Sequence, residues 1–187
     1  MCANRNNLEP EASESTTVGR AFIQRARDFL ANDYLPKIER CLERLTDEQI
    51  WWRPNLNSNS IGNLILHLCG NARQWIVAGL GEAADDRKRD LEFAQREIIE
   101  RGELLAHLKG TILAVDRVLR DFDSNSLLEI HKIQGNDVDA LEAVFHVTEH
   151  FSMHTGQIIL FTKILTESDL AFYDFPNDVP LKKWHKQ

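Results

Sequence analysis

The stretch Asp137–Leu165, DVDALEAVFHVTEHFSMHTGQIILFTKIL, decides the fold class. Its residues Leu141, Val144, Thr148, Phe151, Thr155, Ile158, Thr162 and Leu165 recur at alternating steps of three and four. On an α-helix that spacing draws a single stripe, the seam by which bundle helices pack. Beside the seam runs a second row, His146, His150 and His154, at intervals of four. Side chains at that interval lie on one side of a helix, one turn above another.

Working outward, the pattern predicts three further long helices. One runs from about Thr17 to Leu45 and presents Phe22, Phe29, Leu30, Ile38, Leu42 and Leu45, with Pro36 as a kink or a division. A second runs from about Ile61 to Leu80 behind the N-cap Ser60, on the apolar row Ile61, Leu64, Ile65, Leu68, Ala72, Trp75 and Ile76, and is ended by Gly79 and Gly81. A third runs from about Ala94 to Phe122, burying Leu104, Leu105, Leu108, Ile112, Val115, Leu119 and Phe122. Thr46 and Gln49 read as a capping box opening a short turn that carries Ile50, Trp51 and Trp52. Glu82 to about Glu92 reads as a polar connector, in which Arg87-Lys88-Arg89 is a solvated run. Asp123–Asn136 reads as a connector with an extended middle, Leu127–Ile133, and a turn at Gly135-Asn136. The expected fold is all-α, a four-helix bundle with an irregular C-terminal tail in which Phe172, Tyr173, Phe175 and Trp184 wrap over the helices. Loop lengths permit a simple up-down order or one with a long crossover.

The chain has 187 residues, 43% hydrophobic and 27% charged, the balance of one globular domain. Residues 1–16 are polar, lack the apolar segment of a signal peptide and read as a disordered arm; 17–187 read as a single domain. No apolar run approaches the ~18 residues that span a bilayer. A formal charge of −7 argues against a broad nucleic-acid footprint or an electrostatic membrane partner. Three widely spaced cysteines, Cys2, Cys41 and Cys69, form neither a disulfide framework nor a cysteine-rich zinc site. These features together point to the cytoplasm.

Histidine carries the chemistry. A pair of imidazoles four residues apart can reach one metal ion, and zinc, nickel, iron and manganese all accept neutral imidazole. The row His146, His150 and His154 is therefore either a ligand set or a polar flank. His67, in the middle of the second helix, is either a core histidine or a further ligand. Asn63 and Asn71 lie one turn to either side of it, and Gly70 lets another group come close. Gln157, one turn beyond His154, can orient a ligand, as Asn71 and Asn63 can for His67. Cys69 lies on nearly the opposite face from His67 and reads as a small core residue. No phosphate-binding loop, dinucleotide fingerprint, nucleophile elbow or HExxH motif competes with the histidines.

Two segments carry a family resemblance. Ser60-Ile61-Gly62-Asn63-Leu64-Ile65-Leu66-His67-Leu68, followed by Gly70-Asn71, resembles the second helix of DinB-like proteins, also called YfiT-like metal-dependent hydrolases. Glu149-His150-Phe151-Ser152-Met153-His154-Thr155-Gly156-Gln157-Ile158 resembles their last helix, with its H-x-x-x-H-x-G-Q-I pattern. Trp51-Trp52-Arg53-Pro54 is similar to one branch of the family, and the resemblance spans about residues 17–175. It implies a four-helix bundle, often a homodimer, holding one divalent metal on His67, His150 and His154, and it sets His146 aside. Members of known activity include bacillithiol- and mycothiol-dependent transferases and a maleylpyruvate isomerase, in which the metal activates a low-molecular-weight thiol; this chain is nearest an uncharacterised branch. The expectation is a metal-dependent enzyme that activates a small thiol or water for transfer or hydrolysis of a small-molecule substrate. The alternatives are a non-catalytic metal-binding or stress-associated helical module, and a metal-free helical interaction protein.

Overall fold

A computed structural model describes residues 14–184. Most of the expected N-terminal arm lies outside the described residues. Helix α1 (Glu14–Phe29) passes through a π-helical segment (Leu30–Tyr34) into α2 (Leu35–Glu43), so the first predicted helix begins earlier and changes its winding once. Pro36 sits in the first turn of α2. Its ring crowds the carbonyl four residues back and it has no N–H to offer that carbonyl, and the widened segment directly before it relieves the crowding. The carbonyl in question, on Asn32, accepts the indole Nε1–H of Trp184 at 3.0 Å instead.

The predicted caps are present. Thr46 Oγ1 accepts the Gln49 backbone N–H at 3.3 Å, while Gln49 Oε1 accepts that of Thr46 at 2.9 Å, opening α3 (Asp47–Trp51). Ser60 and Asn63 form the same reciprocal pair at the start of α4 (Ile61–Ala72). Helix α4 continues as a second π-helical segment (Arg73–Ala78) and stops at Gly79, where a Cβ would come within 2.7 Å of Ile133 Cδ1.

Two boundaries differ from the sequence reading. The third long helix, α6, covers Arg101–Asp121 and does not begin near Ala94; a separate short helix, α5 (Arg89–Ala94), precedes it. The reason is lateral hydrogen bonding. Asn63 Nδ2 donates to the Glu92 and Gln95 carbonyls at 2.7 and 3.2 Å, and Trp51 Nε1 donates to that of Ile99 at 3.0 Å. Carbonyls held sideways in this way are anchored to α3 and α4 rather than to a growing helix. Asp137–Asp139 belong to a strand, not to the last helix. Strands β1 (Ile130–Ile133) and β2 (Asn136–Asp139) form an antiparallel hairpin with Ile133 opposite Asn136. Its turn, Gln134-Gly135, has φ of 53° and 80°, the positive values of a two-residue hairpin turn. Helix α7 (Ala140–Thr166) starts only after Asp139 caps it by accepting the Glu142 N–H at 2.7 Å. Leu141, in that first turn at the end of the bundle, is exposed rather than in the seam.

The first long helix (α1–α2) and α4 each pack against both α6 and α7. The two consecutive helices are therefore diagonal to each other, as are α6 and α7. The connections through α3 and through the hairpin cross the bundle, which settles the order that loop lengths left open. Ile38, Leu42, Ile65, Leu68, Leu108, Val147, Phe151 and Ile158 are wholly buried in one core. Among the described residues, no helix is long and apolar enough to cross a membrane. The tail is more regular than expected. Strands β3 (Tyr173–Asp174) and β4 (Leu181–Lys182) pair antiparallel, and Arg40 donates to the carbonyls of Leu170, Ala171 and Lys183 beneath them.

The seating of Trp184 on the π-helical segment is open to a direct test. Trp184→Ala is expected to destabilise the protein by about 3 kcal/mol in urea unfolding, near the lower end for buried Trp→Ala. Trp184→Phe, which keeps most of the packing and loses the donor, should lose about 1 kcal/mol. Wild-type stability in both variants would show that the tail does not brace the bundle.

Candidate metal centre

Helices α4 and α7 pack side by side, and each contributes imidazoles to their interface. The structure brings His67, His150 and His154 together, with one ligand atom from each inside a mutual distance of 4.8 Å. Ring centroids lie 4.8 Å apart for His67 and His150, 5.3 Å for His67 and His154, and 4.5 Å for His150 and His154. The three residues are only 6%, 9% and 9% exposed.

Each ring is held differently. His67 Nδ1 lies 2.8 Å from Glu92 Oε2, and His154 Nδ1 lies 2.7 Å from Gln157 Oε1. A carboxylate and an amide oxygen only accept, so Nδ1 carries the hydrogen in both pairs and Nε2 the lone pair. Arg87 Nη2 also lies 3.1 Å from His67 Nδ1, but it donates to the same Glu92 Oε2 at 2.9 Å. His150 Nε2 is buried without a hydrogen-bond partner. Burial, followed by the neighbouring His154, His67, His146 and Arg87, pushes the His150 pKa down to about 3. Burial also lowers that of His154, against the opposing bond to Gln157. Those two rings are thus kept neutral, the form in which imidazole binds metal.

The residues missing from the sequence reading are Glu92 and Arg87. Glu92 begins as the last residue of an expected polar connector, yet it is 9% exposed. Arg87 Nε and Nη2 grip its two carboxylate oxygens at 2.7 and 2.9 Å in the bidentate fork of a strong ion pair. Burial alone would raise the Glu92 carboxyl; the hydrogen bonds and charges of Arg87 and His67 outweigh it and hold the pKa below the usual range. Arg87 therefore departs from the solvated run expected of it, its side chain being 5% exposed, whereas Lys88 and Arg89 are exposed. One signal for this arrangement was in the sequence. Gly70, noted as a point of close approach, leaves the space that Glu92 fills, since a Cβ there would stand 1.9 Å from Glu92 Oε1.

Asn63 and Asn71 reach other groups than the His67 ring. Asn63 ties the α4 cap to Arg53 and to the backbone of α5. Asn71 Nδ2 lies 3.1 Å from Nε2 of His146, whose ring packs at a tilt of 40° against Trp75 with centroids 4.1 Å apart. His146, Glu149 and His150 form a second group with metal-ligand spacing, but it shares His150 with the first and Glu149 is exposed. Cys69 is fully buried, and burial pushes its thiol up to about 12, which fits the core role and not that of a nucleophile. Trp52 packs edge-on against Phe161. Cys2 and His185 lie outside the described residues.

No curated protein matches the sequence. Solved structures do resemble the chain. A conserved protein from Enterococcus faecalis superposes with a TM-score of 0.59 at 16% identity, covering 84% of this chain and 100% of that one. A DinB-like protein from Bacillus cereus ATCC 10987 superposes with a TM-score of 0.56 at 16% identity, covering 71% of this chain and 85% of that one. At such identity the likeness shows the fold, and that fold is the DinB-like bundle expected from the sequence. A sequence-family model matches residues 17–178, and the protein belongs to that family, described as Protein of unknown function (DUF1572).

Proposed function

We propose that His67, His150 and His154 hold one divalent metal ion through three imidazole nitrogens, with at least one coordination position left for substrate or water. The observation that carries this reading is the buried His150 Nε2 without a partner, beside two rings whose Nδ1 hydrogens are already accepted by Glu92 and Gln157. An orphaned polar atom in such a position is unfavourable unless a ligand meets it. Three neutral nitrogen donors suit zinc, nickel, iron or manganese and do not choose among them. A metal so held would acidify a bound thiol or water and polarise a carbonyl.

The protein is, on this reading, a metal-dependent enzyme activating a small thiol or water for transfer to, or hydrolysis of, a small-molecule substrate. Gln157 bears on the choice between this and a non-catalytic metal-binding or stress-associated module. Its amide oxygen is spent on His154 Nδ1, behind the ring, and the tail seats Trp184 against Asn32 of the first helix. Both groups are thus engaged elsewhere, which supports the reading with a coordination position left for substrate or water. We further propose a homodimer through the outer face of α7, where Phe145, Met153, Leu160 and Ile164 are each at least 49% exposed.

Elemental analysis provides the first test. Wild-type protein should carry about one equivalent of metal, and His150→Ala/His154→Ala, with two of three donors gone, should retain almost none. Equal metal in both removes the assignment. Metal-loaded protein assayed with bacillithiol, mycothiol or glutathione and a reactive electrophile should show turnover that a chelator abolishes; bound metal with neither conjugation nor hydrolysis would select the non-catalytic reading. In light scattering, Phe145→Glu/Leu160→Glu should be monomeric where wild type is a dimer, and a monomeric wild type would exclude the dimer.

The depressed His150 pKa gives a pH dependence with a definite sign. The unfolded chain takes up its proton near pH 6.5 and the folded chain only near 3. Metal-free protein should hold its full stability above about pH 6.5 and lose it progressively as the pH falls toward 3. His150→Asn should flatten that slope in chelator-treated protein.

A further inference from the structure

We infer that Glu92 is the positioning residue of the metal centre: its carboxylate, clamped by Arg87 and seated over Gly70, fixes the ring plane and tautomer of His67 so that Nε2 faces the other two imidazoles. The inference rests on the metal-binding reading and adds to it residues from a different part of the chain.

Four observations converge. Glu92 Oε2 lies 2.8 Å from His67 Nδ1, which leaves Nε2 as the nitrogen able to serve a metal. The carboxylate cannot swing off that contact, because Arg87 holds both its oxygens and is itself buried by its side chain. Gly70, one turn along α4 from His67, is bare where the carboxylate sits; any larger residue would collide with Oε1. The backbone of Glu92 is fixed as well, its carbonyl accepting Asn63 Nδ2 at 2.7 Å from the cap of the same helix that carries His67. Helix α4 therefore presents the ligand, makes the room behind it and anchors the short helix that fills that room.

The chemistry expected of such a pair is general. A metal-binding imidazole whose far N–H is held by a carboxylate is locked in one tautomer, is made more basic, and spends less conformational freedom on binding. His154 has a weaker counterpart in the Gln157 amide. The α4 ligand is thus the one with the charged support.

The test uses full-length Glu92→Ala, Glu92→Gln and Gly70→Ala, with Zn2+ alone as the probe. Gly70→Ala leaves the carboxylate in the chain and displaces it, while adding a good helix former. Zn2+ affinity by chelator competition should fall about 10- to 100-fold in Glu92→Ala and in Gly70→Ala, with a smaller loss in Glu92→Gln, which keeps an acceptor oxygen. In metal-free protein, long-range 1H–15N spectra should place the His67 hydrogen on Nδ1 in wild type and shift it to a mixture in Glu92→Ala. A purely structural ion pair would lower the unfolding midpoint and leave Zn2+ affinity and tautomer unchanged; that result overturns the inference, and the nearly isosteric Glu92→Gln keeps it decidable if the other two fail to fold. A wild type that binds no Zn2+ would overturn the metal-binding reading and with it the role in metal binding. Metal bound normally by Glu92→Ala, with His67 still protonated at Nδ1, would overturn the positioning role alone.

Discussion

Three imidazoles packed together inside a helical bundle concentrate polar nitrogens where few partners reach, and His150 Nε2 is buried with none. Each ring brings one N–H and one lone pair, and each nitrogen shut away from solvent needs a counterpart. Glu92 and Gln157 take two of the hydrogens, which leaves lone pairs directed into a space that His67, His150 and His154 share. Protons are a poor solution there, because the second and third positive charges would repel the first and the buried Arg87. A single cation would meet the three lone pairs at once, which is why the proposed metal site suits the neutral rings that α4 and α7 bring together.

The rest of the molecule can be read as support for that interface. The crossing connections put α4 and α7 side by side although the chain does not run from one to the other directly. The hairpin between α6 and α7 tucks Ile133 against Gly79 at the end of the second helix, and Asp139 then starts α7. The lateral bonds from Trp51 and Asn63 hold the non-helical stretch 95–100 between α5 and α6 and fix the backbone of Glu92. Strong local hydrogen bonds from neighbouring elements here override a sequence that, taken alone, would extend α6 backwards.

This explains which parts were legible. Helix α7 was readable because its seam repeats from Val144 to Leu165, and the starts of α3 and α4 because Thr46 with Gln49, and Ser60 itself, are local signals whose physics is complete within four residues. The histidine row was visible for the same reason. Glu92 and Arg87 were not, because the ring they surround, His67, is 25 and 20 residues away and nothing periodic links a polar connector to a helix it covers. Gly70 was the trace they left, a missing side chain rather than a present one. The strand identity of Asp137–Asp139 was hidden for a related reason, since pairing with Ile130–Lys132 depends on a turn at Gln134-Gly135 that lies one residue earlier than the composition suggests.

The indole of Trp184 and the Asn32 carbonyl are separated by 152 residues. When the chain emerges from a ribosome, the proline-interrupted first helix is made at the outset, and its stabilising donor follows only after nearly all the bundle has been translated. Until then that bend lacks the indole donor, and α2 must dock on α6 and α7, which are themselves synthesised late. The architecture therefore favours assembly after translation of this domain over helix-by-helix folding during it, and it makes the first helix the segment most dependent on protection in the interval.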